Sequence, residues 1–332
     1  MAGLLGSCSN QTADAQPVLH ASDISGLGER AQSGTEAYVC NLGFTSDPGA
    51  TVTPVDLADA TADPAITTGT LPDAIAASPD GKYVLVADEG QDLVTVLDVS
   101  DGDVVARLAT GVEPDAVAVS PNGRIALVAN ADGATVTPVD LETMRSEPAV
   151  HVGDQPDAVA FGGPGGNTAL VANLGDGTVT PVDVRTMTAE TPIRVGAEPD
   201  AIAVSPDGDT ALVANFGSSS VTVIDISALS AAGDIAIGVA PTGLATAGGI
   251  AWASGGTSLV PVSFSARAVS GTPVDVGRLV EAVAISSSDA ADAWVADQGP
   301  YVTEVNLTDG SVIRSVEVGG RPSGIVIPAP LH

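Results

Sequence analysis

The chain has 332 residues, of which 41 are acidic and only 11 are lysine or arginine, so its net charge is −30. This charge excludes nucleic acid as a partner, because a polyanion would be repelled and no basic stripe is present to release its counterions. No apolar run reaches the roughly 18 residues of a membrane-spanning helix. A chain of this length holds either two domains or one large array of repeats.

The N-terminal segment, residues 1–36, is polar and rich in Ser, Ala and Gly, which predicts a flexible tail or tether. Within it, the sequence LGSC that ends at Cys8 resembles a bacterial lipobox, so Cys8 is a candidate lipidation site. Only seven residues precede Cys8, whereas an export signal needs a basic start and an apolar stretch of at least about seven residues. A chance match in the tail is therefore the alternative to a lipid anchor.

From residue 37 onwards the sequence repeats one phrase, for example PDAVAVSPNGRIALVAN at 114–130. The residues that open the copies are separated by 42, 42, 43, 42, 39 and 42 positions. They are Pro72, Pro114, Pro156, Pro199, Pro241, Val280 and Pro322. A second anchor, LVAN in its commonest form, also occurs once per copy. Self-similarity at a fixed period of this length indicates a repeat architecture.

Each unit contains four short segments of strand character, which in the second unit are 115–120, 124–130, 135–140 and 149–153. A PNG turn joins the first two, because proline fixes φ and glycine accepts a positive φ. Four antiparallel strands in about 42 residues match one blade of a β-propeller. The first strand, rich in Ala, Val and Ile, is expected to be innermost and buried on both faces. A twisted β-sandwich is the alternative, but it does not explain seven equivalent units.

The two ends of the chain are predicted to share one blade. The N-terminal copy starts at a second strand, 37–41, and the C-terminal copy supplies only a first strand, 321–327. The prediction is therefore an all-β, seven-bladed propeller of four-stranded antiparallel blades over 37–328, closed without open sheet edges and followed by a short tail at 329–332.

One feature fits this prediction poorly, because four third strands contain a proline, which cannot donate to a ladder. These prolines are Pro54, Pro138, Pro181 and Pro261. Pairing of the fourth strand only beyond each proline would accommodate them.

The phrase P-x-x-I/V-A-x-S-P-x-G, followed by Y/L-V-A-N and T-V-T-x-V/I-D, resembles the YVTN family of β-propeller repeat proteins over 37–328. Proteins with this repeat are commonly found in bacterial and archaeal envelopes. The resemblance therefore implies an extracytoplasmic protein, either secreted or held at the cell envelope. The units at 241–256 and 280–297 depart from the pattern.

Wider seven-bladed relatives include lactonases and lyases, which need acid–base or metal-binding groups that histidine usually supplies near neutral pH. His20 and His332 lie near the chain ends and His151 in a predicted outer strand, so they are not expected to converge. Cys40 replaces the alanine of most blades and is expected to be a buried small hydrophobe rather than a reactive thiol.

The predicted topology places two sets of polar residues on one face, since the loop into each first strand and the loop after each second strand open on the same side. The candidate binding face consists of Asp73, Asp115, Asp157, Asp200 and Glu281 from the first loop, and Asp88, Asn130, Asn173, Asn215 and Asp297 from the second. The functional interpretation is a site for a cation or a basic partner. The structural interpretation, favoured by the repetition in blade after blade, is capping of local backbone N–H groups.

Together these features predict a non-catalytic, monomeric propeller of the cell envelope that serves as a scaffold for an envelope protein or a cell-wall polymer. Contact with a membrane is expected only through the candidate lipid anchor, and no catalytic residue and no cofactor is predicted. The alternatives are a metal-dependent lactonase- or lyase-like enzyme, with calcium or another divalent cation on the acidic face, and a binder of small molecules or cations.

Overall fold

A computed structural model of the protein describes residues 36–44, 47–285 and 291–329 and has the predicted architecture, a ring of seven antiparallel sheets. We number the blades from the one that begins at Pro72, so that the chain ends form blade 7. Within the residues described, no helix is long and apolar enough to span a membrane.

The strands follow in chain order. The N-terminal part of blade 7 contains β1 (Glu36–Phe44), β2 (Asp47–Asp56), β3 (Thr61–Ala62) and β4 (Ile66–Thr67). Blade 1 contains β5 (Pro72–Ala77), β6 (Tyr83–Asp88), β7 (Leu93–Asp98) and β8 (Val104–Ala109). Blade 2 contains β9 (Pro114–Val119), β10 (Ile125–Asn130), β11 (Thr135–Asp140), β12 (Arg145–Ser146) and β13 (Val150–His151). Blade 3 contains β14 (Pro156–Gly162), β15 (Thr168–Asn173), β16 (Thr178–Asp183), β17 (Thr188–Ala189) and β18 (Ile193–Arg194).

The remaining blades follow the same order. Blade 4 contains β19 (Pro199–Val204), β20 (Thr210–Asn215), β21 (Ser220–Asp225) and β22 (Ser230–Ala236). Blade 5 contains β23 (Gly243–Ala247), β24 (Ile250–Gly255), β25 (Ser258–Ser263), β26 (Ala268–Val269) and β27 (Val274–Asp275). Blade 6 contains β28 (Val280–Ile285), β29 (Asp292–Asp297), β30 (Tyr301–Asn306) and β31 (Val312–Glu317). The last strand, β32 (Arg321–Val326), completes blade 7. Two single 3-10 turns, Glu89–Gln91 and Pro164–Gly166, are the helical segments of the described chain.

The ring is closed by pairing of the two chain ends, as the sequence predicts. Strand β32 is antiparallel to β1, with Val39 opposite Ile325, and β1 continues the sheet to β2. Strands from both ends of the described chain are therefore held in one hydrogen-bonded ladder, which closes the ring.

The hydrophobic core is divided into seven clusters, one between each pair of neighbouring blades. Val128 of blade 2, for example, packs with Leu85 of blade 1, while Leu127 faces Val171 of blade 3. The second and third strands are almost wholly buried, whereas the first strand is only half-buried. The expectation that the first strand is buried on both faces is thus wrong, because this strand lines the centre of the ring.

The prolines in the third strands explain why the outer strand is broken in some blades. In blades 2, 3, 5 and 7, which carry the proline, the fourth strand consists of two fragments of two residues each. In blades 1, 4 and 6, which lack it, the fourth strand is continuous over six or seven residues. The proline carbonyl still accepts a bond, as from the N–H of Glu147 to Pro138 (2.8 Å), but the missing N–H interrupts the ladder.

Candidate functional site

In blades 1–3 the second strand ends in a polar side chain that holds the loop leading into the first strand. In blade 3 the Asn173 Oδ1 accepts the N–H of Gly153 (3.1 Å), and its amide donates to Thr180 Oγ1 (2.9 Å). Asn130 makes the equivalent bonds in blade 2. In blade 1 the residue is Asp88, which accepts from the N–H of Gly69 (2.8 Å) and the hydroxyl of Thr95 (2.6 Å).

These residues, which we call the lock residues, lie in the interior. They are Asn41, Asp88, Asn130, Asn173, Asn215 and Asp297, all at most 4% exposed. One of the two sets of the candidate face is therefore not presented to solvent. Its members in blades 1–3 cap backbone N–H groups, in the manner of the structural interpretation, whereas the Oδ1 atoms of Asn41 and Asn215 are buried and accept no hydrogen bond from the described residues.

The other set faces the mouth of the central channel. Asp73, Asp115, Asp157, Asp200 and Glu281 each occupy the second position of their blade's inner strand and are half-buried. We call them the mouth carboxyl groups. The corresponding residues of blades 5 and 7 are Thr242 and Ser323, whose hydroxyls donate to the Val280 carbonyl (3.2 Å) and the Pro72 carbonyl (3.0 Å) of the next blade.

Burial and the charges of their neighbours raise the pKa values of several mouth carboxyl groups. Burial, followed by the charge of Asp157, raises the pKa of Asp73 to about 7. Burial, followed by the charge of Asp73, raises the pKa of Asp115 to about 8. Carboxyl groups that titrate near neutral pH can exchange protons with a substrate under ordinary conditions.

Asp157 and Asp200 form the most specific arrangement at the mouth, because their carboxyl groups are hydrogen-bonded to each other. Burial raises the pKa of both, and the Asp200 charge raises that of Asp157 further. The hydrogen bond from Asp157 acts in the opposite direction on Asp200 and favours its ionised form. Asp157 therefore has the more strongly raised pKa of the two, which favours Asp157 as the acid and Asp200 as the carboxylate.

Two arginines lie at the start of the inner strands of blades 6 and 7, Arg278 two residues before β28 and Arg321 as the first residue of β32, and both are paired. Arg321 is 2.7 Å from Glu281, and Arg278 is 2.7 Å from Asp297. Arg278 also lies 6.0 Å from the centre of the Tyr301 ring. Sequence reasoning missed both arginines, although the signal was present: blades 1–4 have no basic residue at the equivalent positions.

Within residues 36–44, 47–285 and 291–329, no group of three or more His, Cys, Asp or Glu side chains could hold a metal ion. The donor set of these residues therefore does not fit a bound metal ion.

The remaining predicted residues are placed as follows. Cys40 is fully buried as a free thiol, as predicted, and burial raises its pKa well above the usual value. His151 lies on the outer strand β13 and is exposed, also as predicted. His20, His332 and the candidate lipidation site Cys8 lie outside the described residues.

Comparison with known proteins gives one family match and several similar structures. The family model described as lactonase, 7-bladed beta-propeller, matches residues 44–161, a range that contains Asp73, Asp115 and Asp157. A comparison with curated proteins gives no match.

Three solved structures show the same fold. A functionally unknown protein from Desulfotomaculum acetoxidans has a TM-score of 0.79 at 13% identity, covering 89% of this chain and 99% of its own. A candidate 6-phosphogluconolactonase from Bacteroides uniformis has a TM-score of 0.69 at 18% identity, covering 88% and 98%. Kuenenia stuttgartiensis hydrazine synthase has a TM-score of 0.67 at 20% identity, covering 76% and 88%. At these identities the similarity establishes the fold.

These findings correct two expectations from the sequence. The predicted non-catalytic envelope scaffold is contradicted by the lactonase model and the lactonase-like neighbour, and so is the prediction that the protein is not an enzyme. Both point instead to the lactonase-like alternative. The YVTN label is not confirmed, whereas the broader assignment to β-propellers is. The chain is a seven-bladed β-propeller, similar over residues 44–161 to lactonases of this architecture.

Proposed function

We propose that the protein is a lactonase-like hydrolase that opens a cyclic ester at the channel mouth. The observation that carries the proposal is the pair of Asp157 and Asp200, two half-buried carboxyl groups at the second position of neighbouring inner strands, where burial raises the pKa of both and each shifts the pKa of the other. Asp157 lies inside the segment that matches the lactonase model, and Asp200 lies at the same position of the next blade.

The pair supplies both groups that ester hydrolysis requires. The Asp200 carboxylate takes a proton from a water molecule, whose oxygen bonds to the lactone carbonyl carbon. The tetrahedral intermediate then loses its ring oxygen from that carbon, and the Asp157 carboxyl group gives its proton to the departing oxygen. The product is an open hydroxy acid, and the proton taken by Asp200 leaves the pair once more with a single shared proton.

The surroundings support this assignment of acid and base. Asp73 and Asp115 lie in the two preceding blades. Because their pKa values are raised, these two groups carry less negative charge near Asp157 and Asp200 at neutral pH. Inner strands on both sides hold the carboxyl groups in place, so the geometry does not depend on a mobile loop.

The experiment is a pH-stat assay of purified protein on a panel of γ- and δ-lactones, with Asp200→Asn and Asp157→Asn as variants. We expect each variant to lower kcat by about 10²- to 10⁴-fold, the usual contribution of a positioned acid or base. The pH profile of the wild type should be bell-shaped, because the active pair carries one proton, and EDTA should leave the rate unchanged. Glu142→Gln, which removes an exposed carboxylate paired with Arg124, is the matched control and should keep full activity.

Two results would contradict the proposal. One is the absence of turnover above the spontaneous rate for every lactone in the panel. The other is a wild-type rate in Asp200→Asn, which would leave the hydrolase without its base.

Two further proposals concern lipidation of the chain and its location in the cell. The lipobox-like LGSC supports lipidation of Cys8 and a location outside the cytoplasm, at the cell envelope or secreted. Mass spectrometry of the N-terminal peptide from cells that express the natural gene tests this, and an unmodified Cys8 would count against the anchor.

A further inference from the structure

Both guanidinium groups at the channel mouth are already engaged by carboxylates. Arg321 gives an N–H to Glu281 Oε1 at 2.7 Å, and Arg278 gives one to Asp297 Oδ2 at 2.7 Å. Asp297 is buried, so the Arg278 pair is partly shielded from water. A phosphate or carboxylate on a substrate would have to displace one of these acceptors before it gained a bidentate partner.

The rest of the mouth is unfavourable to anions. The negative charge of Glu89 adds to the raised pKa values of Asp73 and Asp115, Glu113 adds to that of Asp115, and Glu198 adds to that of Asp200. The whole chain carries a net charge of −30. A field of one sign over an approach path lowers the local concentration of ligands of the same sign.

The rim of the same mouth is partly apolar. Four large hydrophobic side chains that are exposed by 37–50% lie on this face, three of them on its loops and Tyr301 at the start of β30. They are Val112, Phe216, Leu279 and Tyr301. Exposed apolar groups that surround a polar site offer contact area to an apolar portion of a ligand.

We infer that the protein selects lactones that carry no phosphate or carboxylate and that bear an apolar substituent, with the Arg321–Glu281 pair as the determinant that rejects anions. This inference rests on the proposed function. It separates the chain from an enzyme that acts on a phosphorylated gluconolactone, the activity named for the Bacteroides uniformis neighbour.

The test compares substrates that differ in one group. For the wild-type protein we expect kcat/KM for δ-gluconolactone to exceed that for 6-phosphogluconolactone by about tenfold or more at low ionic strength, with the gap narrowing as salt is added. We also expect δ-decalactone to exceed δ-valerolactone, because only the former carries an alkyl chain for the apolar rim. Both comparisons use the unmodified protein, so they do not depend on the folding of a variant.

A matched pair of variants then tests the determinant. Glu281→Gln releases the guanidinium of Arg321 and should shift the substrate ratio about tenfold towards the phosphorylated lactone, a change of about 1.4 kcal/mol. Glu198→Gln removes one negative charge from the same face but releases no guanidinium, so its ratio should change much less. Adding Arg321→Gln to Glu281→Gln should abolish the shift.

The outcomes separate the two proposals. If the wild type has an equal or greater kcat/KM for 6-phosphogluconolactone than for δ-gluconolactone, the inference is wrong, but the proposed hydrolase activity is unaffected. Equal shifts in Glu281→Gln and Glu198→Gln overturn the role of the Arg321–Glu281 pair. Failure to hydrolyse any lactone overturns the proposed function, and the inference with it.

Discussion

Blades 1–4 and blades 5–7 enter their inner strands by different loops. In blades 1–4, a glycine three positions before the inner proline packs against the lock residue, as Gly153 does against Asn173. The residue directly before the proline is left-handed without being glycine, with φ of 50–54°, in Leu71, Glu113, Gln155 and Glu198. In blades 5–7 the equivalent glycines themselves have positive φ of 69–84° and open space around them; they are Gly238, Gly277 and Gly319.

This difference accompanies the uneven distribution of the mouth carboxyl groups around the ring. In blades 1–4 the carbonyl of the left-handed residue accepts an N–H from the residue after the lock, as from Leu174 to Gln155 (2.8 Å). The loop is therefore fixed at both ends, and the aspartate that follows is held at the channel mouth. Blades 5–7 lack this arrangement and carry Thr242, Glu281 and Ser323 at the mouth instead. The proposed acid–base pair thus lies on inner strands that directly follow rigid loops, while Arg278 and Arg321 lie on the other arc.

The largest expected effect on the free energy of unfolding comes from a substitution that disrupts one of the rigid entry loops of blades 1–4. A Cβ at Gly153 would lie 2.6 Å from Asn173 Cγ and its amide nitrogen, so Gly153→Ala requires the buried lock residue to move. We expect a loss of about 3 kcal/mol in the free energy of unfolding, at the upper end for overpacked interiors. Urea denaturation followed by circular dichroism measures it.

The comparison variant for this prediction is Gly277→Ala in blade 6. A Cβ there meets nothing within 4 Å, and the only cost is a φ of +69° for a residue that is not glycine. That cost is about 1 kcal/mol. If both variants lose the same stability, the two kinds of loop do not differ in the way the packing indicates.

An intermediate effect on the free energy of unfolding is expected from the carboxyl groups of Asp73 in blade 1 and Asp115 in blade 2. The folded pKa values of Asp73 and Asp115 are about 7 and 8, whereas an unfolded aspartate titrates at about 4. Between these values the folded chain binds more protons than the unfolded chain, so the free energy of unfolding falls as the pH rises from about 4 to 8. The double variant Asp73→Asn, Asp115→Asn should therefore be more stable than the wild type at pH 8.5, by about 1–3 kcal/mol after allowance for screening by channel water, and closely similar to it at pH 4.5.

Asp140→Asn serves as the control, because its pKa is shifted in the opposite direction. The N–H groups of Thr143 and Glu142 lower the pKa of this exposed turn carboxylate. Its contribution is present above the unfolded pKa and lost as the pH falls through the lower folded value, so this variant should be less stable than the wild type at pH 8.5. If the double variant is also less stable than the wild type at pH 8.5, the raised pKa values of Asp73 and Asp115 are contradicted.

The sequence predicted the fold well because each repeat is one blade, and seven copies with complementary ends leave little choice of topology. It also predicted that five carboxyl groups would share one face, since their position in the blade is the same. It could not separate them from the lock residues, because both sets are polar and adjacent, and only the side-chain direction makes Asn173 buried and Asp157 accessible.

Other features depend on contacts between blades and have no local signal. Arg321 and Glu281 are 40 positions apart, and their pairing follows from the close approach of blades 6 and 7 at the mouth. The left-handed φ of Gln155 is equally hidden, because this residue type seldom adopts it. Burial of the second strand rather than the first follows from the channel, which leaves one side of every inner strand open.

The smallest expected effect tests the backbone strain of the rigid loops. Gln155 has a φ of +50°, which a side chain with a Cβ disfavours, so Gln155→Gly should relieve strain. Part of this gain is offset because glycine increases the entropy of the unfolded chain, and the net result should be neutral to about 0.5 kcal/mol stabilising. Ala240→Gly, at the equivalent position of blade 5 where φ is not positive, should lose about 0.5–1 kcal/mol, since it has only the entropic cost. Thermal unfolding of the two variants side by side gives the difference in their stability directly. If Gln155→Gly loses as much stability as Ala240→Gly, the left-handed residues of blades 1–4 are not strained.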